Sequence, residues 1–280
     1  MYKDGKWAKS IIAMQESDGK WGCFHSLSKT YSSPITTEQA LRRLERLGFS
    51  IEDECIQRAV AYMDDCLTGK NSIPDPREKL HDWDVFTQLM LSTWIRRFTL
   101  DNENANNTAM LWKAIIDAAF AKGTYDHESY VCAFSDTFRV KPKGGRLIDF
   151  VSFYQISLLS DVLDEKTQDA LLDYVIGKED GIYYIYDRKL SNLPQCFDSR
   201  EVSRYLAAIE LLSRYKLAGR KLRFVSDWIY ENRNTDGNWD MGSKANDKIY
   251  LPLSDSWRQK EKRIKDCTHR ISALLKALEN

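Results

Sequence analysis

Apolar residues recur at helical spacing along nearly the whole chain, and the stretches that carry them are joined by connections alternating between short and long. Tyr205, Ala208, Ile209 and Leu212 follow the i, i+3, i+4, i+7 template, as do Ile271, Leu274, Leu275 and Leu278. The same rhythm predicts helices near 5–15, 36–47, 52–67, 83–97, 106–121, 147–162, 165–176, 199–214, 220–232 and 263–278, with room for a further short helix in 122–146. Gaps after 47, 97, 162 and 214 are short; those after 15, 67, 121, 176 and 232 are long. A short gap makes two helices antiparallel neighbours. Every second connection is then an elaborated loop, and these loops are expected at one end of the assembly. The expected class is all-α; Ile182 to Tyr186 is the one strand-like stretch, equally readable as an extended loop.

The helices preceding long loops start near 5, 52, 106, 165 and 220, a spacing of 47 to 59 residues that marks a repeat of helical hairpins. The loops carry a related signature. Residues 15–22 read QESDGKWG and 234–240 read NTDGNWD; KEDGIYY at 178–184 and AKGTYDH at 121–127 are weaker copies. The loop after 67, TGKNSIPDP, has lost it. In D-G-x-W the glycine supplies the φ > 0 position of a turn and the aspartate can accept nearby backbone N–H groups. The tryptophan then folds back as an apolar plug whose indole N–H needs an acceptor. Gln15, at a helix end, is placed to bond last-turn carbonyls or the next loop.

The chain of 280 residues balances 41 Lys and Arg against 41 Asp and Glu, which argues against a broad electropositive surface for nucleic acid. That length suits one domain, expected over 1–280, with a core that needs no disulfide or metal staple. Six scattered cysteines without C-x-x-C read as reduced thiols. No apolar run approaches a membrane span, and the opening MYKDGKWAKS turns amphipathic rather than resembling a secretory signal. The expected location is therefore cytoplasmic.

QESDGKWG resembles the Gln–Trp repeat of squalene–hopene and oxidosqualene cyclases, and NRNTDGNWD at 232–240 resembles a second, imperfect copy. The wider superfamily includes protein prenyltransferase β subunits. The resemblance implies an α/α toroid, open or complete, of about five helical hairpins, with 36–47, 83–97, 147–162, 199–214 and 263–278 as inner helices around a central cavity. It also implies a small apolar or isoprenoid-like ligand. The D-x-D-D motif of the protonating cyclases is absent. His269 resembles the last zinc ligand of the prenyltransferases, but the matching Asp-x-Cys is missing, since Asp64 and Cys66 fall at the end of an outer helix. Neither a metal nor a cofactor is expected.

If the long loops gather at one mouth, the residues at the inner-helix starts become candidates: Thr36 and Thr37, Asp82 with Trp83 and Asp84, Asp149 with Phe150, and Phe197 with Asp198. Asp255, Trp257 and Asp266 occupy the last approach. Each acid or threonine also suits a plain helix cap. His81 beside Asp82 and Asp84 is the densest cluster able to exchange protons, and either acid could act with Asp149 or Asp198 across the mouth. Trp83, Phe150, Tyr154, Tyr205 and His269 are candidate ligand contacts. Arg146, with Arg139, Lys141 and Lys143, is a candidate for a diphosphate. Three functions fit: an isoprenoid-handling enzyme, a non-catalytic ligand-binding or interaction scaffold on the same fold, and a glycan-acting α/α-barrel enzyme using separated carboxylates.

Overall fold

A computed structural model of the chain describes residues 2–28, 33–78, 82–142 and 150–279. Among these it holds twelve α-helices: α1 (Lys6–Ala13), α2 (Thr37–Arg46), α3 (Glu54–Leu67), α4 (Trp83–Phe98), α5 (Glu103–Ala119), α6 (His127–Phe138), α7 (Phe153–Leu158), α8 (Glu165–Gly177), α9 (Arg200–Leu212), α10 (Ala218–Lys221), α11 (Arg223–Glu231) and α12 (Lys260–Glu279). No strand occurs among the described residues. Residues 182–186 form two isolated bridges instead, Ile182 with Tyr186 and Tyr183 with Ser152. None of the described helices is long and apolar enough to cross a membrane.

Local chemistry sets most helix starts. Thr36 and Gln39 close a capping box on α2, and Asp82, Asp126, Ser152, Asp164 and Ser199 each accept a first-turn N–H of the helix that follows. The added helix in 122–146 is α6. Two expected helices differ from the periodicity. Of the described part of 147–162, only Phe153–Leu158 is α-helical, and Tyr183 engages the chain at its start: its N–H donates to the Val151 carbonyl and its carbonyl accepts from Phe153 N–H. The segment 220–232 is two helices jointed at Leu222, a fully buried residue near φ −107° and ψ 17°.

The contacts divide the chain into two compact units, Met1–Ala109 with Leu253–Asp255, and Met110–Pro252 with Ser256–Asn280. In the first unit α1 packs on α2 and α3 on α4. In the second α7 packs on α9, and α10 and α11 pack on α12. Each unit contains one full D-G-x-W turn, and the two are built from the same bonds.

In the first copy the Trp21 indole donates to the Ile11 carbonyl at 2.7 Å; in the second the Trp239 indole donates to the Ile229 carbonyl at 2.8 Å. Backbone bonds from Gly19 to Glu16 and from Glu16 to Lys20 recur as Gly237 to Asn234 and Asn234 to Asn238. Both glycines sit at positive φ, +99° and +79°. A threonine hydroxyl accepts from the backbone N–H of each tryptophan and donates to its carbonyl: Thr37 on α2 for Trp21, Thr268 on α12 for Trp239. Gln15 donates to the Gly19 carbonyl, and Arg233, at the equivalent position, donates to the Gly237 carbonyl. Arg233 thus replaces the glutamine in its bonding role and lies over the Trp239 ring as well, 5.2 Å from its centroid.

The two copies differ where they meet their surroundings. Gln15 also donates to the Cys55 carbonyl in the first turn of α3, and a Cβ on Gly19 would fall 2.4 Å from the Arg58 carbonyl oxygen. The first turn is therefore wedged against α3, while Gly237 faces only the end of the Arg233 side chain. The weaker copies keep positive φ at Gly123 and Gly181 but not the plug. Tyr183 is half-buried and occupied with α7, and Tyr125 stacks on Tyr174 at 4.5 Å.

Trp21 and Trp239 are 0% and 4% exposed. Replacing either with Ala is expected to cost about 3–5 kcal/mol, the range for a buried large aromatic. Urea unfolding of both variants checks this, and midpoints within error of the parent chain would contradict it.

Candidate functional site

The residues proposed from the sequence divide among three places. His81, Arg146 and Asp149 lie outside the described residues, as does Lys143. Asp82, Trp83 and Asp84 lie in the first unit. The Asp82 carboxylate accepts from Val85 N–H at 3.1 Å and so caps α4. Asp84 is exposed and pairs with Arg77 at 2.8 Å, an arrangement of small energetic weight. Trp83 is buried, with its ring 6.0 Å from Phe86.

The others lie in the second unit. Phe150 is fully buried in an aromatic group with Phe120, Tyr125, Tyr130 and Tyr174. Tyr154 is 2% exposed between Phe153 and Tyr184. Tyr205 is fully buried, its hydroxyl donates to the Leu190 carbonyl, and its ring meets Tyr186 and Trp228 edge-on. Asp198 is exposed at the side of Gly242, where a Cβ would collide with its carboxylate. His269 is exposed on α12, whereas Asp266, one turn earlier, is fully buried and accepts from the Trp257 indole at 2.7 Å.

The buried acids that the sequence did not single out are bound to backbone and indole N–H groups. Glu38, in the first turn of α2, is fully buried and accepts from the Trp94 indole at 3.0 Å and from Ser26 N–H at 2.7 Å. Burial opposes its charge, but Arg42, His25 and these two donors outweigh that and hold its carboxyl below the usual range. Asp75, from the loop after α3, accepts from the N–H groups of Phe24 and His25 and from the Ser28 hydroxyl. Together they clamp the chain that leaves the first D-G-x-W turn. Nearby, burial and the charges of Asp75 and Glu16 raise the Cys23 pKa, so this thiol is not poised as a nucleophile.

In the second unit a comparable network fixes α9. Arg270 of α12 donates to Glu210 and to the hydroxyl and carbonyl of Ser203, and the Ser203 hydroxyl donates to Asp247 at 2.7 Å. Asp247 in turn accepts the N–H groups of Ile249, Tyr250 and Leu251. Helix α9 is thereby held at Ser203 and Glu210, near its two ends, and its first turns form one wall of a cleft.

That cleft, of about 310 Å³, is lined by Ile185, Tyr186, Asp187, Arg188, Arg200, Glu201 and Arg204. Glu201 accepts from the Tyr186 hydroxyl at 2.8 Å and from Arg188 at 2.9 Å. Burial, then the bond to Glu201, push the Tyr186 phenol well above its ordinary pKa, so it remains a proton donor. Arg200 and Arg204 are exposed, one helical turn apart on α9, and form no ion pair with the described residues. Tyr205 stands behind Tyr186 and supports it. The sequence signal for this cleft was an Arg-Glu-x-x-Arg run opening a helix, which is hard to distinguish from an ordinary solvated face without the Tyr186–Arg188 segment brought against it.

Among the described residues no three His, Cys, Asp or Glu side chains gather as a metal-binding set. No protein-family model, curated protein or solved structure matches the chain.

The depressed pKa of Glu38 has a stability consequence. Its contribution is complete above the unfolded value, about pH 4.3, and is lost as pH falls through the lower folded value. The stability gap between the parent chain and Glu38→Gln should accordingly narrow from pH 5 to pH 3 in urea titrations. A gap that holds constant over that interval would contradict the assignment.

Proposed function

We propose that the chain is a divergent α/α-toroid protein of the terpene cyclase and protein prenyltransferase kind, using its helical hairpins to bind a ligand without transforming it. The observation that carries this reading is the D-G-x-W turn, repeated bond for bond at Trp21 and Trp239 with the glutamine position filled by Gln15 in one copy and Arg233 in the other. A turn that recurs with its helix carbonyl, glycine and bridging threonine reflects a repeated structural unit rather than two unrelated loops.

Binding rather than turnover is supported by what several of the described acids do. Asp82 caps a helix, Asp84 pairs with a surface arginine, and Glu38, Asp75 and Asp247 serve N–H and hydroxyl donors. A general acid needs a carboxyl free to exchange its proton with substrate. The ligand in this reading is small and isoprenoid-like or otherwise partly apolar.

Native mass spectrometry of the full chain with farnesol, alongside an assay for diphosphate release from farnesyl diphosphate, tests the proposal. The expected result is a one-to-one farnesol adduct with release at the buffer rate. Release well above that rate would overturn the non-catalytic reading; the lack of any adduct would overturn the isoprenoid-like ligand.

A further inference from the structure

We infer that the cleft at the start of α9 binds the phosphate group of a small phosphorylated molecule through Arg188, Arg200 and Arg204. The inference rests on the ligand-binding reading and deepens it by naming the chemistry that one end of the ligand presents.

The first observation is an uncompensated charge pair. Arg200 and Arg204 stand at i and i+4 near the N-terminus of a thirteen-residue helix, α9, without an ion pair among the described residues. Like charges at that spacing repel, and cations near a helix N-terminus oppose the helix dipole. Two unfavourable placements on one turn are both relieved by an anion.

The second observation is that the intervening carboxylate is already engaged. Glu201 is held by Tyr186 and Arg188, on the segment facing α9, so it does not neutralise its helix neighbours. The engagement also fixes Arg188 at the rim of the same cleft. Three guanidinium groups and two carboxylates, Asp187 and Glu201, then line one concave space of about 310 Å³, at the small end of ligand pockets.

The chemistry selects phosphate over carboxylate. A phosphate monoester presents three terminal oxygens and roughly −1.5 to −2 charge near neutral pH, enough acceptors for Arg188, Arg200 and Arg204 together, whereas a carboxylate presents two oxygens and a single charge. Guanidinium forks also bind phosphate oxygens in pairs, which a lysine ammonium cannot reproduce. The Arg270–Ser203–Asp247 network holds α9 at Ser203, between the two arginines.

Isothermal titration of the full chain with phenyl phosphate, and with benzoate as the carboxylate of similar size, tests the inference. Saturable phenyl phosphate binding at low salt is expected, with benzoate at least tenfold weaker. Arg200→Ala and Arg204→Ala should each lose tenfold or more while melting no earlier than the parent. Lys216→Ala, which removes an exposed charge elsewhere in the unit, should bind as the parent does. Should either alanine variant melt early, Arg204→Lys is read in its place, and it too should weaken binding. Absence of binding by the parent, undiminished binding in the arginine variants, or benzoate as tight as phenyl phosphate would each overturn the site. A parent chain that binds neither probe but still forms the farnesol adduct would overturn the phosphate site alone.

Discussion

A helix that ends in a protein interior leaves its last carbonyls without partners, and an indole N–H buried nearby has the complementary problem. The D-G-x-W turn seats the indole on a last-turn carbonyl that also accepts one backbone N–H: Ile11 takes Trp21 and Met14, and Ile229 takes Trp239 and Asn232. The geometry requires a reversal immediately after the helix, which is why glycine holds positive φ at 19 and 237. It also leaves the tryptophan's own N–H and carbonyl facing inward. One threonine hydroxyl, donor and acceptor at once, meets both needs and ties the turn to α2 or α12. The chain's approach to α2 and to α12 follows from this arrangement.

The sequence disclosed the part of this that depends on residue type and spacing. Helix positions came from apolar period, and the repeat came from Asp-Gly followed by Trp. The role of Arg233 did not, because a guanidinium and a carboxamide share only their N–H donors, and that equivalence appears only once the turn is folded. Helix α7 starts where it does for a similarly non-local reason: Tyr183, about thirty residues onward, bonds on either side of Ser152 and holds that residue extended. The caps of α7 and α9 are Ser152 and Ser199, a few residues inside the aspartates that drew attention. Composition cannot settle which of several adjacent capping residues is used.

The aromatic residues proposed as ligand contacts show the limit of type-based inference most plainly. Phe150, Tyr154 and Tyr205 have the chemistry of a lined pocket, yet each is buried among other rings. Two buried hydroxyls settle on backbone, that of Tyr205 on the Leu190 carbonyl and that of Tyr215 on the Ile156 carbonyl. Negative charge is likewise absorbed by the fold, at Glu38, Asp75 and Asp247. Arg200 and Arg204, by contrast, stay exposed one helical turn apart and form no ion pair among the described residues. The electrostatic balance of the whole chain conceals this, since a net charge of zero says nothing about where compensation fails.

The claim that one indole bond anchors each of the two full D-G-x-W turns is tested most directly by hydrogen exchange at the indole nitrogens, followed by NMR on chain whose tryptophans carry the heavy nitrogen isotope. Nε1–H of Trp21 and of Trp239 should exchange slowly and together with the most protected amides of their own units, because release requires the turn to detach from both helices. Trp7, whose indole donates to the Ser254 carbonyl from an exposed position, supplies the fast reference. Exchange of Trp21 and Trp239 at the rate of Trp7 would contradict the account.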